Sequence, residues 1–348
     1  MGVNRSVLAA LGAALLFGAS TPFAKTLVGA VPPVLLAGLL YAGSGIGLWS
    51  ARIVRDRGVK GATLSREEWP GLAGAIVAGG VLGPMLLMYG LTRTSAAAAS
   101  LLLNLEAVLT ALLAWIAFRE NADRRIVLGM ALIVAGGALL AWPVSDTGRT
   151  NLSGALAVAG ACACWAVDNN LTRKVSASDP LFIAGTKGLV AGFTNVALAL
   201  AGGAHLPAPA VSAAAMGVGF AGYGVSLVLF VLALRGLGSA RTGAYFSTAP
   251  FVGATIAIVA FGEALSPFFW WAAALMGGGV CLHLIEVHEH EHTHEPQTHT
   301  HAHRHDEHHR HEHPGGWDGR EPHTHAHTHR LLVHRHPHYP DLHHRHGH

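Results

Sequence analysis

The chain has little of what a soluble domain needs. Charged residues make up only 12% of it against 51% apolar. Residues 1–287 hold 17 Lys+Arg and 11 Asp+Glu, gathered between long uncharged runs. A solvated surface of interspersed charges cannot be built from that distribution. Cysteine is nearly absent. Cys162, Cys164 and Cys281 all lie inside apolar runs, so neither a disulfide framework nor a zinc-finger spacing is present. Cys162 and Cys164, two positions apart on a helix, differ by roughly 200° of rotation and read as small packing residues rather than a soft-metal pair. Residues 1–287 also lack a nucleophile–base pair, a phosphate loop and a complete metal-ligand motif, which argues against an enzyme. Nothing in the charge pattern points to a nucleic-acid partner.

What is present is a series of apolar runs near residues 7–24, 32–49, 70–91, 95–118, 125–142, 152–172, 181–200, 212–234, 240–262 and 267–287. Each approaches the ~20 residues that carry a helix across ~30 Å of hydrocarbon. Abundant Gly and Ala let such helices approach closely where no hydrophobic effect drives them together. The first run follows Arg5 but is read as a span, not a cleaved signal, because it has a counterpart later in the chain. With the N-terminus inside, 13 Lys/Arg fall in inner segments and only Lys25, Arg93 and Arg149 in outer ones. Ten crossings then return the C-terminus to the cytoplasm, and Phe268, Phe269, Trp270 and Trp271 fall at the outer interface. A bacterial inner membrane is the expected setting.

Slid on itself by about 143 to 149 residues, the chain matches faintly but repeatedly. Pro33 to Gly38 lies over Pro180 to Gly185, the span ending at Glu120 over the span ending in Gly262-Glu263, and Lys25 over Lys174. Five spans per half is an odd number, so the second half is inverted, an arrangement that places a substrate site between the halves. This two-fold pattern, with Ala240, Pro250 and Gly262-Glu263 at the spacing of a helix that starts small, carries a proline and ends in Gly-Glu, resembles the EamA-type transporters of the drug/metabolite transporter superfamily. The resemblance covers residues 7 to about 286 and implies a ten-helix bundle around a central cavity that moves small organic solutes. The expected fold is therefore an all-α membrane protein of two inverted five-helix repeats, residues 1–143 and 144–287, followed by a disordered tail, 288–348.

Within the spans, polar side chains stand out. Glu106 lies near the middle of the fourth, where an acidic residue costs roughly 2.5–3.5 kcal/mol on insertion scales. Such residues mark ion or substrate paths, and a buried carboxyl suits a coupling proton or a cation. The ninth span has Ala249-Pro250 at the corresponding place. Lys187, where the resemblance implies a basic residue near the start of a repeat's second helix, could pair with Glu106 or hold a substrate carboxylate. Asp168, Asn169 and Asn170 overlie Ala19 to Pro22 of the first span, which suggests that both helices are interrupted there. Tyr245, Ser247 and Thr248 offer hydroxyls beside Pro250. Glu263 reads as a cap or ion-pair partner, and Met85 and Met88 as core.

The tail is different material. It holds 23 of the 25 histidines, alternating with other residues through His288, His290, His292 and His294, then His299, His301, His303 and His305, then His323, His325, His327 and His329. Imidazole suits Zn, Ni, Co or Cu, and no four-ligand spacing is written, so a multi-site metal buffer is expected. No other cofactor is required, and no feature fixes an oligomeric state. Three readings follow: a proton-coupled secondary transporter of a small solute, a divalent-metal efflux transporter fed by the tail, or a membrane-anchored metal or pH sensor.

Overall fold

A computed structural model describes residues 3–59, 61, 64, 66–118, 124–142, 151–173, 179–266 and 268–284, with four strands between residues 289 and 337. Glu120, Lys174, His288, His305 and His329 lie outside the described residues. The chain divides into a unit of Met1–Ile285 and a unit of Glu286–His348.

The described residues of the first unit contain helices and no strand. These are α1 (Val3–Val28), α2 (Pro33–Asp56), α3 (Trp69–Arg93), α4 (Ala96–Leu102), α5 (Leu105–Phe118) and α6 (Arg124–Ala141). They continue as α7 (Leu152–Arg173), α8 (Pro180–Ala201), α9 (Pro209–Gly219), α10 (Ser226–Phe246), α11 (Ala249–Phe261) and α12 (Phe268–Leu284). Among the described residues nine helical stretches are long and apolar enough to cross a membrane, and Phe268–Leu282 is a shorter apolar helix. Large apolar side chains such as Leu8, Phe193, Val259, Trp270 and Trp271 are exposed on the outside, as on a surface solvated by lipid.

Local chemistry sets the ends. Asp179 caps α8 by accepting the Leu181 N–H at 3.1 Å, and Pro180 follows where a missing N–H costs nothing. Ser95 caps α4 through the Ala98 N–H. Glu263 adds a second cap from the far end of α11, its two oxygens taking the N–H groups of Ala96 at 2.7 Å and Ala97 at 2.8 Å. Lys25 does the converse for α3, donating to the carbonyls of Leu91 and Thr94. Close packing comes from small residues: α2 meets α8 most extensively, and a Cβ on Gly45 would lie 2.2 Å from the Leu189 nitrogen.

Two of the expected interruptions are absent, and two others take their place. α7 runs unbroken through Asp168, Asn169 and Asn170, and α1 runs through Ser20, Thr21 and Pro22. The reason is local satisfaction: Asn170 Nδ2 bonds the Ala166 carbonyl at 2.8 Å and Ser20 Oγ the Phe17 carbonyl at 2.6 Å, so neither needs an opened backbone. The breaks fall instead at Leu103-Asn104, between α4 and α5, and at Ser247-Thr248, between α10 and α11. Widened π-helical turns occur at Ile76–Leu82 within α3 and at Phe220–Val225 between α9 and α10.

The helical assignment of α10 continues through residues 235–239, where a loop was expected. It is not one straight rod. The rings of Phe230 and Phe246 meet edge to face with centroids 4.9 Å apart, whereas a straight helix would separate them by ~24 Å, so the chain reverses between them.

In the second unit, among the described residues, β1 (Glu289–His294) pairs antiparallel with β4 (Leu332–Pro337), and β2 (Thr298–His303) with β3 (His323–Thr328). In β1, β2 and β3 His alternates strictly with Thr, Ala or Glu, a period-two pattern that suits a strand.

Candidate functional site

The break in the fourth span builds the site. After α4 ends at Leu102, Leu103 and Asn104 leave the helix and α5 begins at Leu105. The loosened carbonyls find new partners: Asn104 Nδ2 bonds the Leu101 carbonyl at 2.9 Å, and the Cys162 thiol lies 3.7 Å from the Leu102 carbonyl. A helix N-terminus is thereby created inside an apolar run, with Glu106 in its first turn. The partial positive charge of that terminus favours a carboxylate and offsets part of the cost of placing one there.

α7 supplies the partners. Asn169 Nδ2 donates to Glu106 Oε1 at 2.9 Å and to Thr110 Oγ1 at 3.3 Å, while Asn170 Nδ2 reaches the Thr110 carbonyl at 3.3 Å. Next to Asn169 on α7, Asp168 accepts two bonds from Lys187 of α8, at 2.5 and 2.6 Å, and a third from Thr172 at 2.8 Å. The two charged side chains are only 8% and 17% exposed, so this is a buried pair, and removal of either partner would strand the other.

Lys187 therefore pairs with Asp168 rather than with Glu106. The Asp168 carboxylate, one position from Glu106's partner Asn169, captures the ammonium, and Glu106 is left with neutral amide and hydroxyl neighbours. The group as a whole carries two carboxyls and one ammonium.

Residues that the sequence did not single out complete the surroundings. The π-turn of α3 frees carbonyls that would otherwise be bonded along the helix. Tyr41 Oη and Trp165 Nε1 each donate to the Gly79 carbonyl at 2.9 Å, and Asn195 Nδ2 to the Gly80 carbonyl at 3.2 Å. A Cβ on Gly79 would sit 2.0 Å from Asp168 Oδ2, so only glycine admits the carboxylate at that place. The adjacent glycines Gly79-Gly80 inside an apolar run were the one sequence signal of a backbone distortion here.

Other expected site residues stand apart. Ser247 Oγ and Thr248 Oγ1 bond back to the carbonyls of Ala244 and Tyr245 at 2.8 and 2.6 Å, and Tyr245 packs with Leu229 and Ala233 near α1. No described hydrogen bond joins them to the Glu106 group. Among the residues whose side chains are described, no cluster of three or more His, Cys, Asp or Glu could hold a metal ion.

A second charged cluster lies at the end of α2. Arg52 and Arg55 reach Asp179 at 3.1 and 2.5 Å, and Arg52 stacks 5.1 Å from the rings of Trp49 and Phe182. Burial raises the affinity of the Asp179 carboxyl for a proton, but the bonds from Arg55, Arg52 and the Leu181 N–H outweigh it and hold the group below its ordinary value.

The geometry can be set beside known proteins. The EamA-like transporter family model matches residues 4–142 and again residues 152–285. A protein of Methanothermobacter thermautotrophicus described as an uncharacterized transporter is 29% identical over 269 residues, 73% of this chain and 78% of the relative. A crystal structure of a protein 22% identical to this chain superposes with a TM-score of 0.60, covering 80% of this chain and 95% of the other, and so shares its fold.

Proposed function

From the premise that the chain belongs to the EamA-like transporter family, and is therefore an integral membrane transporter, we propose that it moves a small solute by proton-coupled secondary transport through Glu106. The family supports the bilayer as its setting and a small molecule as its substrate. On this reading, residues 1–143 and 144–287 are two inverted five-helix halves, with α12 completing ten crossings. Both termini face the cytoplasm of a cell bounded by this membrane, the bacterial inner membrane.

The observation that carries the coupling role is the position of Glu106. It stands in the first turn of a half-helix within an apolar run, with an amide and a hydroxyl as neighbours and the nearby ammonium committed to Asp168. Such a carboxyl can hold a proton or the cationic part of a solute, but one occupant excludes the other. Alternate exposure to the two sides then exchanges a proton for a solute. Asn169 and Thr110 orient the carboxyl, and the Lys187–Asp168 pair keeps the adjacent face of α7 and α8 electrically closed. Tyr245 and Thr248 would line the opposite half of the path.

Purified protein in liposomes tests this with an imposed pH gradient and a panel of labelled amines, amino acids and sugars. Gradient-driven flux of at least one solute is expected in the native protein, falling at least tenfold in Glu106→Gln. Equal gradient-driven flux in both would remove Glu106 from the coupling.

The 23 histidines of the tail favour a second reading, in which the solute is divalent Zn, Ni or Co and the tail collects it on the cytoplasmic side for efflux. Deletion of residues 288–348 would then sensitise cells to that metal.

A further inference from the structure

We propose that the paired strands of the tail form two discrete transition-metal sites of the Zn2+ class, one in each ladder, and that each site is assembled from both strands of its ladder. The inference rests on the metal-binding reading of the tail and goes beyond it, since a string of independent histidines would need no pairing.

The register carries the argument. In the first ladder His290 lies opposite His336, and His292 opposite His334. In the second, His299 lies opposite His327, His301 opposite His325, and His303 opposite His323. The partners come from segments far apart in the chain, yet in these five places histidine faces histidine. Because positions along a strand alternate between faces with a period of two, the histidine positions of each ladder fall in one register class. The other face of the second ladder holds only Thr and Ala, at the pairs Thr298 and Thr328, Thr300 and Ala326, and Ala302 and Thr324. A slip of one residue would set every histidine against one of these.

Spacing then fixes the donor number. Directly opposed positions have Cβ atoms about 4.5–5.5 Å apart, and successive positions on one face are roughly 6.8 Å apart. Two consecutive pairs therefore bring four imidazole-bearing positions into a patch that a tetrahedral ion, with Zn–N bonds of about 2.0–2.1 Å, can span. His290, His292, His334 and His336 make one such set. The second ladder offers His299, His301, His325 and His327, with His303 and His323 as an adjoining pair. By sequence these short strands carry few apolar residues to bury, and a metal cross-link would supply what burial does not.

The test is Zn2+ titration of the full-length protein in detergent by calorimetry, after removal of metal with chelator. The native chain should bind two ions tightly. Replacing His299, His301 and His303 by Ser should abolish one tight site, weakening it at least 100-fold. Replacing His323, His325 and His327 by Ser should abolish the same site, and the six-fold variant should lose nothing more. Replacing His308, His309, His311 and His313, which lie between the strands, should leave both sites. Losses that simply add with the number of histidines removed would overturn the ladder sites while leaving the tail a metal buffer. No saturable Zn2+ binding by the native chain would overturn both, and neither result bears on transport through Glu106.

Discussion

The two broken helices of the membrane unit share a backbone plan and differ in chemistry. α4 gives way to α5 at Leu103-Asn104, and α10 to α11 at Ser247-Thr248, so that α5 and α11 each begin inside an apolar stretch. In the first case the second residue of the new helix is Glu106, met by Asn169 and Thr110 and flanked by the Lys187–Asp168 pair. In the second it is Pro250, preceded by hydroxyls that bond back to their own chain, with the rings of Phe17, Phe230 and Phe246 clustered nearby. A helix start leaves unbonded N–H groups in an apolar setting. One half answers with a carboxylate beside them, the other with a proline that has no N–H at all. Among the described side chains, a carboxyl able to bind a proton or a cation thus stands at one of two breaks that the backbone treats alike.

The contrast can be broken most severely at the buried pair. Asp168→Asn or Lys187→Met should each lower stability by about 3–5 kcal/mol, because the remaining charge is left buried without its partner. The double variant should recover most of that loss, as read by thermal unfolding in detergent. Loss in the double equal to the sum of the singles would mean the pair is not the unit described here.

At Glu106 the effect should move from stability to function. Glu106→Gln keeps the bond from Asn169 to the side-chain carbonyl and removes a charge from an apolar run, so unfolding should be unchanged or slightly later while gradient-driven flux collapses. Pro250→Glu, its mirror image, should destabilise the protein without creating a second coupling site, because no amide equivalent to Asn169 waits there.

Smaller effects belong to the helix ends. Glu263→Ala removes the acceptor for the Ala96 and Ala97 N–H groups and should cost about 0.5–2 kcal/mol, the range for a lost N-terminal cap. The Asp179 carboxyl is held below its ordinary value in the folded protein, so the stability it contributes is complete above the unfolded carboxylate range, about pH 4. It is lost as the pH falls through the lower folded value. Unfolding of the native protein should therefore show an acid-side decline that Asp179→Asn lacks, and the variant should be less stable at neutral pH.

Much of the site could be read from the chain alone, for a physical reason in each case. Glu106 announces itself because a carboxylate in an apolar run is costly, and Asp168, Asn169, Asn170 and Lys187 do so on the same ground. Which of them meet was not legible. From the sequence Lys187 could pair with Glu106 or hold a substrate carboxylate; it closes on Asp168, a choice made by the crossing of α7 and α8 and by the room that Gly79 leaves for the carboxylate. The interruptions were expected at the polar triplets of the first and sixth spans. They occur where Leu-Asn and Ser-Thr leave the helix, because Asn170 and Ser20 satisfy themselves within intact helices. In the tail, the alternation of histidine was plain, but alternation on one strand says nothing of its partner.

The sequence by itself determined that this chain lives in a bilayer, where its helical stretches lie, and that acidic and amide groups would sit among them. These follow from the cost of moving each residue type from water into hydrocarbon, a property each segment carries alone. Only the tertiary structure decided that Glu106 stands at the start of a half-helix, that Lys187 belongs to Asp168, and that Tyr41, Trp165 and Asn195 serve the π-turn of α3. Those outcomes depend on which carbonyls are left open and which side chains come within reach, and hydrogen bonds and ion pairs across helices are set by three-dimensional proximity that no single segment encodes.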